Sequence, residues 1–324
     1  MIGVVTGGLK LRIHRRHSAQ SVAVSLASRL VVKNVVRAWA IRPDMPWPFA
    51  SVDRFAGWVP YRPAVTVERL RLGSCVAERV QAKETSAQRA ILYLHGGAFL
   101  TCGLNTHRAL VARLSQAAEA AVLNIDYRML PSHGITDAIE DGLNGLRWLF
   151  RRGYDPERIV VAGDSAGGYL AFMTALAAVQ SDLPKPAGIA VVSPFTDADP
   201  TAKMRHRNAN RCAMFPCGAL PAFTRCLRRA HVVSPVDADL SALPPVTIHA
   251  SSDELLLPDA EVMAERLGSA GVPCDLHLWD GQIHDFPLAA DVLPEGRRAI
   301  RYIGDFVKRV TDVSEPPESG TAAA

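Results

Sequence analysis

The sequence predicts an α/β fold: a mostly parallel, eight-stranded sheet flanked by helices and topped by a helical cap. Three observations carry that expectation. Short apolar, β-branched runs alternate with longer helical patterns along most of the chain, the rhythm of parallel strands joined by crossover helices. One such run, 158–162, passes straight into an Ala-rich helical stretch through Gly163-Asp-Ser-Ala-Gly167. Finally, 324 residues, 48 % of them hydrophobic, suffice for one large core with a smaller appendage.

Strands are expected near 67–72, 75–83, 90–95, 121–127, 158–162, 188–193, 245–250 and 275–279, the first two pairing as an antiparallel hairpin. Helical patterns fall near 107–119, 137–152, 166–180, 259–270 and 294–310. Two segments stand outside this alternation, the N-terminal stretch 1–62 and an insertion at 196–232. The expected division is therefore a core at 63–195 and 233–311, those two segments outside it, and a disordered tail at 312–324 rich in Ser, Pro, Gly and Ala.

Ser165 is the candidate nucleophile. Gly163 and Gly167 let strand and helix pack closely around it, so the serine is held in a strained turn with Oγ raised above the sheet. A serine hydroxyl needs a base, an acid to orient that base, and donors for the oxyanion. Gly96, Gly97 and Ala98, at the end of the apolar strand 90–95, are candidate backbone donors, joined by the amide of Ala166. Downstream, two strands end in polar loops. His284 is the candidate base and Asp253 its candidate acid. Glu254 adjoins Asp253 but is expected to project differently from the turn, Asp259 reads as a helix N-cap, and Asp280 and Asp285 lie too near His284 in sequence. His249 and His277 read as packed strand residues.

His95-Gly-Gly-Ala-Phe99, Asp126-Tyr-Arg128, Gly163-Asp-Ser-Ala-Gly-Gly168, the run Ser234 to Pro245, Asp253-Glu-Leu-Leu256 and His284-Asp-Phe286 together resemble the hormone-sensitive-lipase-like (bacterial family IV) esterases of the α/β-hydrolase superfamily. The resemblance spans roughly 63–310. It implies Ser165 as nucleophile, His284 as base, Asp253 as its partner, and an oxyanion hole from the His-Gly-Gly loop and Ala166. It further implies cofactor-free hydrolysis of carboxylic esters, commonly with short or medium acyl chains, beneath a helical cap in which 1–62 and 196–232 join. Two departures stand out: Ala98 replaces a frequent third glycine, and Leu-Pro-Ser replaces a commoner Ala-Pro-Glu at 130–132. The expected activity is acyl transfer through an acyl-enzyme on small-molecule or lipid esters. An amidase or peptidase using the same triad, or an inactive ligand-binding relative, is the alternative.

Net charge is +4, yet it is unevenly spread: residues 1–43 hold eight Lys or Arg and no acid, leaving 28 basic against 32 acidic residues elsewhere. Ser21, Ser25, Arg29, Lys33 and Arg37 recur every four residues among apolar ones, predicting an amphipathic helix with one polar stripe. Such a helix either packs as part of the cap or rests on an anionic membrane. No motif that reads nucleic acid accompanies the basic run. The six cysteines include Cys212, Cys217 and Cys226 in the insertion, without the paired spacing of a zinc site, so thiols and no metal are expected. The chain is expected in the cytoplasm or peripherally on a membrane, with export and oligomeric state left open.

Overall fold

The computed structural model describes residues 2–5, 8–58, 64–83 and 88–312. In chain order the N-terminal region gives β1 (Ile2–Val5), β2 (Leu9–His14), α1 (Ala19–Leu30), α2 (Val32–Ile41) and α3 (Phe49–Ala56). The first part of the core follows as β3 (Val65–Leu72), β4 (Cys75–Ala82), β5 (Ala90–Leu94), α4 (Leu104–Ala118), β6 (Ala121–Asp126), α5 (Ile135–Arg151), β7 (Ile159–Asp164), α6 (Ala166–Gln180) and β8 (Gly188–Val192). After the insertion, with α7 (Thr201–Arg205) and α8 (Leu220–Arg229), come β9 (Val246–Ser251), α9 (Leu257–Ser269), β10 (Cys274–Trp279) and α10 (Pro294–Thr311).

All strands form one sheet in the order β1-β2-β10-β9-β8-β7-β5-β6-β4-β3, parallel from β2 through β6 and antiparallel at both margins. Because successive side chains point to opposite faces, Leu92 and Leu94 of β5 join the core beneath α5, α6 and α9, whereas Ile91 and Tyr93 join the core beneath α4 and α10. The expected α/β class and helical cover are found. The sheet is wider than the eight expected strands, for β1 and β2 extend it beyond β10.

That extension corrects the reading of 1–62 as cap alone. Leu9, Leu11 and Ile13 alternate with Lys10, Arg12 and His14, a period-two pattern overshadowed in sequence by its positive charge. β2 lies parallel to β10 and covers what would otherwise be an open edge. His14 stacks on Trp279 at 3.8 Å, and His277 stacks on His249 across the next strand pair at 4.3 Å.

The basic helix differs from expectation in two ways. It breaks at Val31 into α1 and α2. Ser21 and Lys33 of its polar stripe, with Ser28 beside them, also face the protein. Ser21, 1 % exposed, donates to the Gly281 carbonyl, and Ser28 donates to that of Ala213. Lys33, 7 % exposed, reaches the Cys212 carbonyl at 2.6 Å. The insertion packs beside these helices: Trp39 of α2 meets Ala219 and Ala222. Asp259, expected as an N-cap, lies instead in the first turn of α9 and ties insertion to core. It accepts from the amides of Thr196 and Asp197 and from Lys203 Nζ at 2.8 Å. The tail beyond Asp312 lies outside the described residues.

Candidate active site

Ser165 joins β7 to α6 with φ 51° and ψ −117°, a left-handed conformation costly for any side chain. Its neighbours explain how the turn closes. A Cβ on Gly167 would lie 1.9 Å from the Leu94 carbonyl oxygen, and one on Gly163 would lie 2.3 Å from that of Gly167. Backbone bonds lock the serine in place, its N–H donating to Val192 and its carbonyl accepting from Phe195.

Two loops at the carboxyl ends of β9 and β10 bring the remaining groups to it. His284 Nε2 lies 2.9 Å from Ser165 Oγ. Its other nitrogen, Nδ1, lies 2.8 Å from Glu254 Oε2, whose second oxygen accepts from the Ser251 amide. The expectation of Asp253 is thus corrected. Of the two adjacent acids in the turn after β9, it is Glu254 that is buried against His284. Asp253 is half-buried, and among the described residues its carboxylate takes no hydrogen bond or ion pair.

The donor loop also differs in one member. Gly96 spends its amide on Asp164 Oδ1 at 3.1 Å, so it is not free for an oxyanion. A Cβ there would sit 2.3 Å from Asp164 Oδ2, which is why the position needs glycine. The amides of Gly97, Ala98 and Ala166 carry no hydrogen bond among the described residues and line one cavity with Ser165 and His284. For Ala166 this follows from its place in the first turn of α6, where N–H groups lack helical partners.

Asp164 and His107 are contributors that sequence reasoning missed. Buried Asp164 accepts from Tyr93 Oη at 2.6 Å and from Gly96, and meets His107 Nε2 at 3.1 Å. Burial alone would neutralise both groups; their mutual contact outweighs it, lowering the Asp164 pKa and raising that of His107. The loop after β6 braces the same region, Tyr127 Oη donating to the His95 carbonyl and the Leu130 amide to that of Phe99. Their only sequence signal was proximity to the glycine motifs.

Comparison with known proteins agrees with this geometry. Residues 91–288 match the family model described as alpha/beta hydrolase fold. The esterase LipU of Mycobacterium tuberculosis is 39 % identical over 87 % of this chain and 100 % of its own, and carboxylesterase/phospholipase LipF of the same organism is 40 % identical over 91 % and 83 %. A crystal structure of an esterase from the bacterial hormone-sensitive lipase family superimposes with TM-score 0.80 at 29 % identity, covering 91 % of this chain and all of that one. The chain belongs to the hormone-sensitive-lipase-like esterases of the α/β-hydrolase superfamily. It is a carboxylesterase-like serine hydrolase, and the esters such enzymes take are small molecules.

In this esterase a second carboxylate borders the histidine. Asp285, buried and at φ 52°, puts Oδ2 3.1 Å from His284 Nε2, on the same nitrogen that faces Ser165. Its amide donates to Ser193 Oγ, and its Oδ1 has no partner. Burial pushes the Asp285 carboxyl up to about 7. Burial would lower His284, but Asp285 and Glu254 together hold its pKa well above the ordinary imidazole value.

The cavity over Ser165 measures about 480 Å³. Trp39 of α2 and Trp47 of the α2–α3 connection, Phe215 and Phe223 from the insertion, and Leu255 and Leu288 from the core give it apolar walls. A separate cavity of about 630 Å³, bordered by Arg79, Trp148, Arg152 and Arg158, is lined by no Ser, Thr, Cys or His. Cys212 packs with Leu220 and Leu255, while all six thiols are unpaired. Among the described residues no group of three or more His, Cys, Asp or Glu is placed to hold a metal ion.

Proposed function

We propose that this esterase cleaves short- to medium-chain carboxylic esters through a Ser165 acyl-enzyme, with His284 as base and Glu254 as the acid that orients it. The observation that carries the reading is the unbroken chain Ser165 Oγ, His284 Nε2, His284 Nδ1, Glu254 Oε2, with links of 2.9 and 2.8 Å, at the floor of an apolar cavity. As Ser165 Oγ attacks the ester carbonyl, its proton passes to His284 Nε2, and the oxyanion is met by the amides of Gly97, Ala98 and Ala166. His284 then gives that proton to the departing alkoxide oxygen as the carbon–oxygen bond breaks. Water attacks the acyl-enzyme as it passes a proton to His284, and His284 returns that proton to Ser165 Oγ as the acyl carbon–oxygen bond breaks and the acid is released.

The apolar cavity suits an aliphatic acyl chain, and the relative LipF carries phospholipase in its name. We therefore infer lipid-derived esters as substrates, met at a membrane surface. A nitrophenyl ester series from acetate to palmitate, run beside a nitroanilide, tests this. The expected result is a maximum of kcat/KM at short or medium chains with the anilide far slower. An anilide cleaved as fast as the esters would sink the reading in favour of an amidase.

A further inference from the structure

The outside of the cap is built the wrong way round for water. A surface helix ordinarily turns its apolar stripe inward, yet α1 and α2 bury Ser21, Ser28 and Lys33 and present Val22, Leu26, Leu30, Val31 and Val35 to solvent, Leu30 at 64 % exposure. Ile41, Phe55 and Trp58 extend the exposed apolar set, Trp58 at 76 %, with Phe55 and Trp58 in edge-on contact at 5.4 Å. Exposed apolar surface on this scale marks a contact site. It also joins the substrate cavity, because Val32, Val35 and Val52 are at once exposed and part of the cavity lining.

Charge narrows the choice of partner. The cap segments 18–58 and 196–232 carry 12 Lys or Arg against four acids, whereas the rest of the chain carries 24 against 28. All four of those acids are engaged: Asp44 pairs with Arg229, Asp53 accepts from Asn105 and Thr106, Asp197 accepts from the Asp199 amide, and Asp199 accepts from Thr201. Arg42, Arg54, Arg225 and Arg228 are exposed and have no ion pair among the described residues. A second copy meeting this face through a two-fold axis would set arginine against arginine. An anionic lipid surface satisfies both the apolar ridge and the basic rim. Among the described residues no helix is long and apolar enough to cross a membrane, so the contact is one of lying on the surface.

We propose that the outer face of α1, α2 and α3 docks on an anionic lipid surface, with the mouth of the Ser165 cavity opening onto it. Docked this way, an acyl chain passes from lipid into the cavity without crossing bulk water. The proposal rests on the ester-hydrolase reading only for its purpose; binding is measured without catalysis.

The test is flotation of the full chain with vesicles of phosphatidylcholine alone and of phosphatidylcholine with phosphatidylglycerol, in low and high salt. Wild type is expected to float with the anionic vesicles in low salt and to lose roughly tenfold or more in bound fraction at high salt. The triple variant L26S/L30S/V31S and the double variant R225E/R228E should each lose binding, while hydrolysis of a water-soluble acetate ester stays at the wild-type rate. Wild type that hydrolyses the soluble ester yet floats with neither vesicle overturns the docking and leaves the esterase reading intact. Flotation without ester hydrolysis does the reverse. If wild type sediments as a dimer, L26S/L30S/V31S as a monomer, and neither binds vesicles, a second copy covers the ridge and the lipid proposal falls.

Discussion

Glu254 Oε2 lies 2.8 Å from His284 Nδ1, while the preceding carboxylate, Asp253, turns away from the histidine. One residue of offset in the turn after β9 therefore decides which acid sits against the imidazole and, in the proposed mechanism, fixes the tautomer that accepts a proton from Ser165. Glu254→Ala should lower kcat on a nitrophenyl ester by about 10³–10⁴-fold, the cost of an unoriented base. Asp253→Asn should stay within about twofold, since its carboxylate takes no hydrogen bond or ion pair among the described residues. Equal losses in the two variants would contradict the assignment.

The acid limb of the pH profile should lie above the ordinary imidazole value of about 6.5. In the proposed mechanism only neutral His284 acts as base, and the flanking carboxylates of Asp285 and Glu254 outweigh burial to favour its charged form. Asp285→Asn removes one negative charge at 3.1 Å from Nε2, leaving burial less opposed. The limb of kcat/KM should then move toward lower pH by about one unit. A profile that stays in place would show Asp285 to be electrostatically silent.

Strain at Ser165 predicts a trade between stability and activity. Glycine adopts a positive φ without penalty, so Ser165→Gly should abolish turnover and raise stability by about 1 kcal/mol, near 2 °C in Tm. Ser165→Ala should abolish turnover without that gain, since a Cβ remains. Thermal unfolding of the two variants side by side provides the comparison.

Acid should loosen the edge of the sheet that carries the N-terminal segment. Burial pushes His14 down to about 4, His277 to about 3 and His249 well below the ordinary value. Each group binds its proton more readily unfolded than folded, so its stabilising contribution is complete above the unfolded pKa near 6.5. That contribution fades as pH falls from there toward the folded values. Urea midpoints at pH 7.5, 6 and 5 should decline in that order. His277→Phe, which keeps a ring in the stack but cannot charge, should flatten the decline.

Much of this protein is written in local sequence. The join at Ser165 is legible because Gly163 and Gly167 report a close approach of backbones, which depends on neighbours in sequence. His284 is legible because it lies in the short polar loop that follows a strand. The alternation of strand and helix gives the core for the same reason, the period of apolar residues being a property of each segment. The alternation in Leu9 to His14 was equally present, but the basic charge of the segment drew it toward the cap.

Tertiary structure decided what local pattern leaves symmetric. Periodicity says that α1 and α2 have two faces; which face meets protein depends on the carbonyls of Arg211, Cys212, Ala213 and Gly281, far away in sequence, that Arg29, Lys33, Ser28 and Ser21 reach. The sequence offered Asp253 and Glu254 in adjacent positions, and only the packing of the β9 turn against the loop after β10 chose between them. Gly96 likewise carried the right residue type for an oxyanion donor, but the approach of Asp164 claimed its amide. In each case the deciding contact joins segments far apart along the chain, so its energy belongs to the assembled core and not to any stretch of residues alone.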